Sequence, residues 1–209
     1  MEDSLIPAQS DGYKLPVMVC PGFHDARLTA QWVRSLPPFA QPHVIEAFPA
    51  NPLAVFEELV QIFGSPAAKQ PDQMQPIVAV GFSAGVVGLA GALALWQQQG
   101  GRVAKLFALD GWGVPVVGLP VCRLSHDSFT HWSMLPLGAG EVNFYADPPV
   151  EHLQLWGEPA RVNGWQVAGW QGEAAVPMTA ADFLERSLRT EWIKQVEQSN
   201  TSRLHVPFP

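Results

Sequence analysis

With 209 residues, 47% of them hydrophobic and 15% charged, the chain has enough apolar side chain for one packed core and too little charge for a disordered state. Lys and Arg number 12 against 19 Asp and Glu, a net charge of -7 without a local basic patch, which argues against a nucleic-acid partner. The 20 Pro and 18 Gly imply many tight connections, and 8 Trp are costly to leave in water.

Residues 1–14 read as an N-terminal extension, residues 15–198 as one domain and 199–209 as a tail. Met1-Glu2-Asp3-Ser4 is acidic, and Pro7, Asp11 and Lys14 break the apolar residues that follow, so no secretory signal is expected. Leu15–Cys20 is an unbroken apolar run stopped by Pro21-Gly22, as for a strand covered on both faces. A helix is expected over 28–36, then a strand over His43–Phe48, then a helix opened by Asn51 as N-cap and Pro52 at its first position. Gln75–Val80 predicts a third strand that leads through Gly81-Phe82-Ser83-Ala84-Gly85 into a small-residue helix over 86–99. Val103–Leu109, Leu119–Leu124 and Glu141–Ala146 predict three further strands, and Asn163-Gly164 predicts a hairpin turn. Thr179 and Asp182 have the spacing of a capping box before a closing amphipathic helix. Short apolar runs alternating with amphipathic ones predict an α/β three-layer sandwich around a mostly parallel sheet. The apolar run Val86–Trp96 falls far short of the ~20 residues of a membrane span. Cys20 and Cys122 lack metal-ligand spacing and are read as reduced thiols, which fits the cytoplasm.

Gly81-Phe82-Ser83-Ala84-Gly85 matches G-x-S-x-G, a strand-to-helix turn that holds a nucleophilic serine in a strained backbone conformation. The pentapeptide alone is a weak signal, and an incidental serine in a βα turn is the competing reading. Its placement between an apolar strand and an immediate helix is the context that strengthens it. On this motif the chain resembles the α/β-hydrolase family over about residues 15–198. It also looks like small hydrolase-like proteins of cyanobacteria in Leu109-Asp-Gly-Trp-Gly-Val-Pro115 and in 144–152. It departs from the family in lacking room for the first two strands and for a large cap domain between Asp110 and Leu119.

The resemblance implies the order nucleophile, acid, histidine. Ser83 is then the nucleophile, Asp127 the preferred acid with Asp110 as alternative, and His152 the preferred base with His126 and His131 as competitors. His43 and His205 lie too far from the expected rim. Pro21-Gly22-Phe23-His24-Asp25 follows the first strand, where the family places half of its oxyanion hole. Phe23 and Ala84 are the expected backbone donors, with His24 facing the substrate. An ordinary βα turn with Asp25 capping the next helix is the alternative. Phe23, Phe82, Trp112, Phe129 and Trp132 fall on expected rim loops, which motivates an apolar, lipid-like substrate. Trp112, Trp132, Trp156, Trp165 and Trp170 together suggest an aromatic covering over Ser83. The resemblance implies a serine hydrolase acting on an acyl ester or thioester without metal or cofactor. A catalytically silent binding or scaffold protein and an acyltransferase using the same serine remain the alternatives.

Overall fold

A computed structural model describes residues 12–69, 74–169 and 175–204. Its chain order is β1 (Leu15–Cys20), α1 (Ala26–Arg34), β2 (Ala40–Val44), α2 (Pro52–Phe63), β3 (Ile77–Phe82), α3 (Ala84–Gln98), β4 (Val103–Leu109), β5 (Val121–Ser125), α4 (Ser128–Met134), β6 (Val142–Ala146), α5 (His152–Gly157), β7 (Asn163–Ala168), β8 (Val176–Thr179) and α6 (Ala180–Leu204). The eight strands form one sheet in the order β2-β1-β3-β4-β5-β6-β7-β8, parallel through β6 and antiparallel over the last two.

Alternation along the strands divides the core into two layers. Val17 and Val19 of β1 and Val78 and Val80 of β3 point to the side covered by Trp32 of α1, Trp156 of α5 and Phe183 and Leu188 of α6. Met18, Cys20 and Ala79 point to the opposite side, against Val55 and Leu59 of α2 and Leu89 and Leu93 of α3. Helices on both faces explain why β1, β3 and β4 are read from sequence as unbroken apolar runs. Among the described residues, no helix is long and apolar enough to cross a membrane.

Several boundaries differ from expectation for physical reasons. The second strand is Ala40–Val44, ahead of the expected His43–Phe48, because the edge register pairs Leu15 with Ala40 and Val19 with Val44. An edge position tolerates Pro42. The N–H groups of Glu46 and Ala47, which a longer strand would spend on a neighbour, go to the Glu58 carboxylate of α2. Asn163-Gly164 is no hairpin turn: it opens β7, where Gly164 pairs with Ala146 of β6. The first helix begins at Ala26, two residues before expectation, because Asp25 accepts the Arg27 N–H and caps it. The other expected caps form, with Asn51 accepting from Leu53 and Ala54, and Thr179 and Asp182 bonding each other at the start of α6. Tyr13 ties the chain before β1 to α6 through Gln195 and Trp192.

Candidate active site

The strand order reverses between β1 and β3: from β1 the chain runs outward to β2, then returns to β3 on the other side. In open α/β sheets the crevice beyond the carboxyl ends at such a point is where ligands bind. Ser83 follows β3 at this position, and the Pro21-Gly22-Phe23 turn follows β1.

Ser83 has φ 52°, a left-handed conformation rare outside glycine. Its N–H is held by the Leu109 carbonyl of the next strand at 2.9 Å, and α3 starts at Ala84, so the turn has no slack. The close packing requires glycine on both sides. A Cβ at Gly85 would strike the carbonyl oxygens of Cys20 and Pro21, and one at Gly22 would lie 3.0 Å from the Ser83 Cβ and from the Phe82 carbonyl. The β1 loop therefore lies directly against the serine. Ala84 opens α3, so its N–H belongs to the helix-terminal set that lacks an intrahelical acceptor.

One strand over, Asp110 repeats the same device. It follows β4, has φ 49°, and its N–H is latched to the Leu124 carbonyl of β5 at 2.8 Å. These two are the positive-φ residues other than glycine among the described residues. Strain of roughly 1–3 kcal/mol at each persists when surrounding bonds over-determine the backbone, and it clusters at functional sites. The twist at Asp110 directs its carboxylate, with side-chain exposure of 1%, toward two imidazoles. Its Oδ2 accepts from His152 Nδ1 at 2.8 Å and from His126 Nδ1 at 3.0 Å, and Oδ1 accepts the His126 main-chain N–H at 2.8 Å. Burial pushes the Asp110 carboxyl up, but the hydrogen bonds from His126 and His152 and the charge of His126 outweigh it, so the carboxyl sits below its ordinary range. Asp110, His126 and His152 each offer a possible metal-ligand atom within 4.8 Å of one another, and both Nδ1 atoms are directed at one Asp110 oxygen.

The preferred pairing of Asp127 with His152 is thus not the one formed. Asp127 is the N-cap of α4, accepts the Thr130 N–H at 2.6 Å, and places its other oxygen 3.2 Å from His126 Nε2. Asp110, the alternative acid, holds His152. Of the competing histidines, His126 shares that carboxylate, whereas His131 lies fully buried, stacked on Tyr145 and edge-on to Trp132. Neither of its ring nitrogens has a hydrogen-bond partner, and burial, aided by the positive Arg123, lowers its pKa to about 4. It cannot reach the cleft.

Ser83, Ala84, Asp110, His126 and His152 line one open cleft of about 720 Å³, whose apolar wall includes Val87, Trp112, Val114 and Phe129. Phe82 does not face this cleft from a rim loop as expected; it ends β3 and is buried. It lies between two rings, with His152 stacked at 4.6 Å between centroids and Trp156 at 5.1 Å. Trp156 in turn stacks on Trp32 at 4.4 Å and 7°. A four-ring column thus rises from α1 through α5 and β3 to His152. Trp156 therefore supports the site from beneath instead of covering it, Trp165 sits in β7 bonded to Asp147, and Trp170 lies outside the described residues. Trp112, Phe129 and Trp132 remain exposed at the rim.

His24 is partly buried at the β1 loop, with Nε2 2.9 Å from Thr29 Oγ1 and its ring edge-on to Phe82 and Trp156. Burial and then the charge of His152 lower its pKa, and His24 is not among the residues that line the cleft. Arg123 fixes the loop that carries Trp112 and Val114: buried in β5, it donates to the carbonyls of Val114, Leu137 and Gly138. Cys20 and Cys122 are buried and unbridged, their thiols pushed up to about 12 mainly by burial, so neither is a competing nucleophile.

Sequence reasoning missed the ring column and the second imidazole on Asp110. The signal for the latter was present in the close sequence of His126 and Asp127 after β5. No family model matches the chain, and no curated protein matches it in a sequence search.

Proposed function

We propose that the protein is a serine hydrolase of the α/β-hydrolase type, cleaving an apolar acyl ester or thioester. One observation carries the reading: a serine at φ 52° lines the same cleft as an imidazole whose Nδ1 is held by a buried carboxylate at 2.8 Å. Nucleophile, base and orienting acid then come from the ends of adjacent strands and from α5.

In the reaction, His152 Nε2 takes the Ser83 hydroxyl proton as Oγ attacks the acyl carbonyl. Asp110 keeps His152 in the tautomer with hydrogen on Nδ1 and balances the imidazolium that forms. The oxyanion draws on the Ala84 N–H and on the Phe23 N–H of the β1 loop that Gly22 brings against Ser83. His152 then gives its proton to the leaving alcohol or thiol. Water, activated by the same nitrogen, releases the acid and restores Ser83.

Apolar substrate preference is supported by the exposed side chains at the carboxyl ends of the strands: Phe23 packed on Phe48 at 5.1 Å, with Trp112 and Phe129 beyond Ser83. On this reading, these loops shape the site in place of a large cap domain. Two buried, unbridged cysteines fit a reducing compartment such as the cytoplasm.

Labelling with a fluorophosphonate probe tests the reading. Wild-type protein is expected to be labelled and Ser83→Ala is not, and p-nitrophenyl esters of increasing chain length are expected to be cleaved with rising kcat/KM. Failure of Ser83 to label under conditions that label a control hydrolase would overturn the reading and leave the fold as a binding module.

A further inference from the structure

A triad requires one imidazole on its carboxylate, and Asp110 carries two on the same oxygen. His152 Nδ1 at 2.8 Å is the one the chemistry uses; His126 Nδ1 at 3.0 Å is not accounted for by it. His126 is also fixed from its other side, with Nε2 3.2 Å from Asp127 Oδ2, so its ring spans two carboxylates. The titratable groups that face it are Asp110 at the end of β4, Asp127 beside it, and Glu151 and His152 at the start of α5, the two imidazole rings meeting edge-on at 6.1 Å. Its own N–H on Asp110 Oδ1 and the bond from the Val150 N–H to its carbonyl hold the backbone in place.

We propose that His126 is a positioning residue, anchoring the Asp110 carboxylate opposite His152 and, by gaining or losing a proton, setting how much of that carboxylate's charge acts on His152. Its link to activity rests on the serine-hydrolase reading; the link between the two imidazoles does not.

The physical steps follow from sharing one oxygen. The hydrogen bond to Asp110 comes first among the causes that favour protonated His126, and the charges of Asp110, Asp127 and Glu151 add to it against the cost of burial, so His126 holds its proton above the ordinary histidine range. While charged, it offsets the carboxylate on which the His152 imidazolium depends, making His152 a weaker base. When it releases that proton to solvent, Nδ1–H still donates to Oδ2. The bond to Asp110 is kept, the Nε2 contact with Asp127 is given up, and the full negative charge of Asp110 faces His152. The two positive charges oppose each other through the shared oxygen, so the acid limb of activity is spread over a wider pH range than one proton would give.

The test uses the whole chain. His126→Asn places an amide nitrogen near the position of ring Nδ1, keeping a donor to Asp110 that never charges, whereas His126→Ala removes the anchor. Imidazole NMR titration of His152 and the pH dependence of fluorophosphonate labelling at Ser83 are read side by side. In His126→Asn, His152 is expected to take up its proton at higher pH than in wild type, with a labelling limb narrowed to that of one proton. In His126→Ala, the labelling rate on the alkaline plateau is expected to fall about tenfold, with Asn restoring most of it. An unchanged His152 titration in His126→Asn overturns the charge link, and an unchanged plateau in His126→Ala overturns the anchor. Absence of Ser83 labelling in the wild type at every pH would instead overturn the hydrolase reading, while the NMR titration still decides whether the imidazoles are linked.

Discussion

The ring of Phe82 lies under the ring of His152, 4.6 Å between centroids and inclined by 25°. Phe82 immediately precedes Ser83, so on the proposed reading the residue that ends β3 supports the base while its neighbour presents the nucleophile. Beneath it, Trp156 and Trp32 continue the stack into the core, where all three supporting rings are buried. The column gives the half-exposed His152 a fixed floor, and the bond to Asp110 fixes its edge. A ring held by face and by edge has little rotamer freedom left.

Phe82→Leu tests the floor without emptying the site. The replacement keeps an apolar side chain of similar volume and removes the stacked face. The fluorophosphonate labelling rate is expected to drop about tenfold, in line with the sensitivity of reactions to small misplacements, while the thermal unfolding transition stays cooperative. A rate equal to wild type would show that Asp110 alone orients His152.

The acid is decided by comparing Asp110→Asn with Asp127→Asn. Asn at 110 would turn an amide toward two Nδ1–H donors or surrender the charge they share, disturbing both the tautomer and the imidazolium of His152. Loss of kcat on the order of 10⁴ is expected, the scale seen when a triad carboxylate is replaced by its amide. Asn at 127 still accepts the Thr130 N–H and touches His152 only through His126, so kcat is expected to stay within about tenfold of wild type.

These residues also show what the sequence made legible. Val103–Leu109 is found with its expected bounds because a strand covered on both faces is written as continuous apolar residues. Ala40–Val44 lies ahead of the expected His43–Phe48 because an edge strand carrying Gln41, Pro42 and His43 has no such pattern. β7 and β8 were hidden because Asn163-Gly164 imitates a turn and Pro177 sits in an outer strand. At the site, Ser83 is marked by five contiguous residues, and His152 by its order after β6. The choice between Asp110 and Asp127 depends on a backbone twist of φ 49° at the end of β4, which no residue type announces. The column of Trp32, Trp156, Phe82 and His152 draws on three distant segments of chain, so only tertiary packing brings it together.

Gly22→Ala probes the oxyanion side. A methyl at this position lies 3.0 Å from both the Ser83 Cβ and the Phe82 carbonyl oxygen, tighter than packed atoms ordinarily sit, so the contact has to open by a few tenths of an ångström and the β1 loop is expected to shift from the serine. The Phe23 N–H moves with it. Losing one oxyanion donor costs about 10²–10³ in kcat, and a reduction in that range with little change in KM is the expected result. Full activity in Gly22→Ala would assign the second donor elsewhere.

His131 provides a prediction about stability instead of catalysis. Its folded-state pKa is lowered from 6.5 to about 4 by burial and by Arg123, whereas in the unfolded chain it titrates near the ordinary value. Between these values the unfolded state binds a proton that the folded state refuses, so stability falls as pH drops from about 6.5 toward 4. From near neutrality to about pH 4.5 this group alone is worth about 2 to 3 kcal/mol. Asp110, held below its ordinary range, adds loss at lower pH, and His126, raised, changes stability in the opposite sense as pH rises through its folded value. The contribution of His131 is therefore isolated as a difference. His131→Phe, stacked on Tyr145 in the same volume, is expected to remove about 2 kcal/mol or more of the acid destabilisation in urea unfolding at the two pH values, with the other groups cancelling. Equal acid destabilisation in the two proteins would mean that His131 accepts its proton without leaving the folded core.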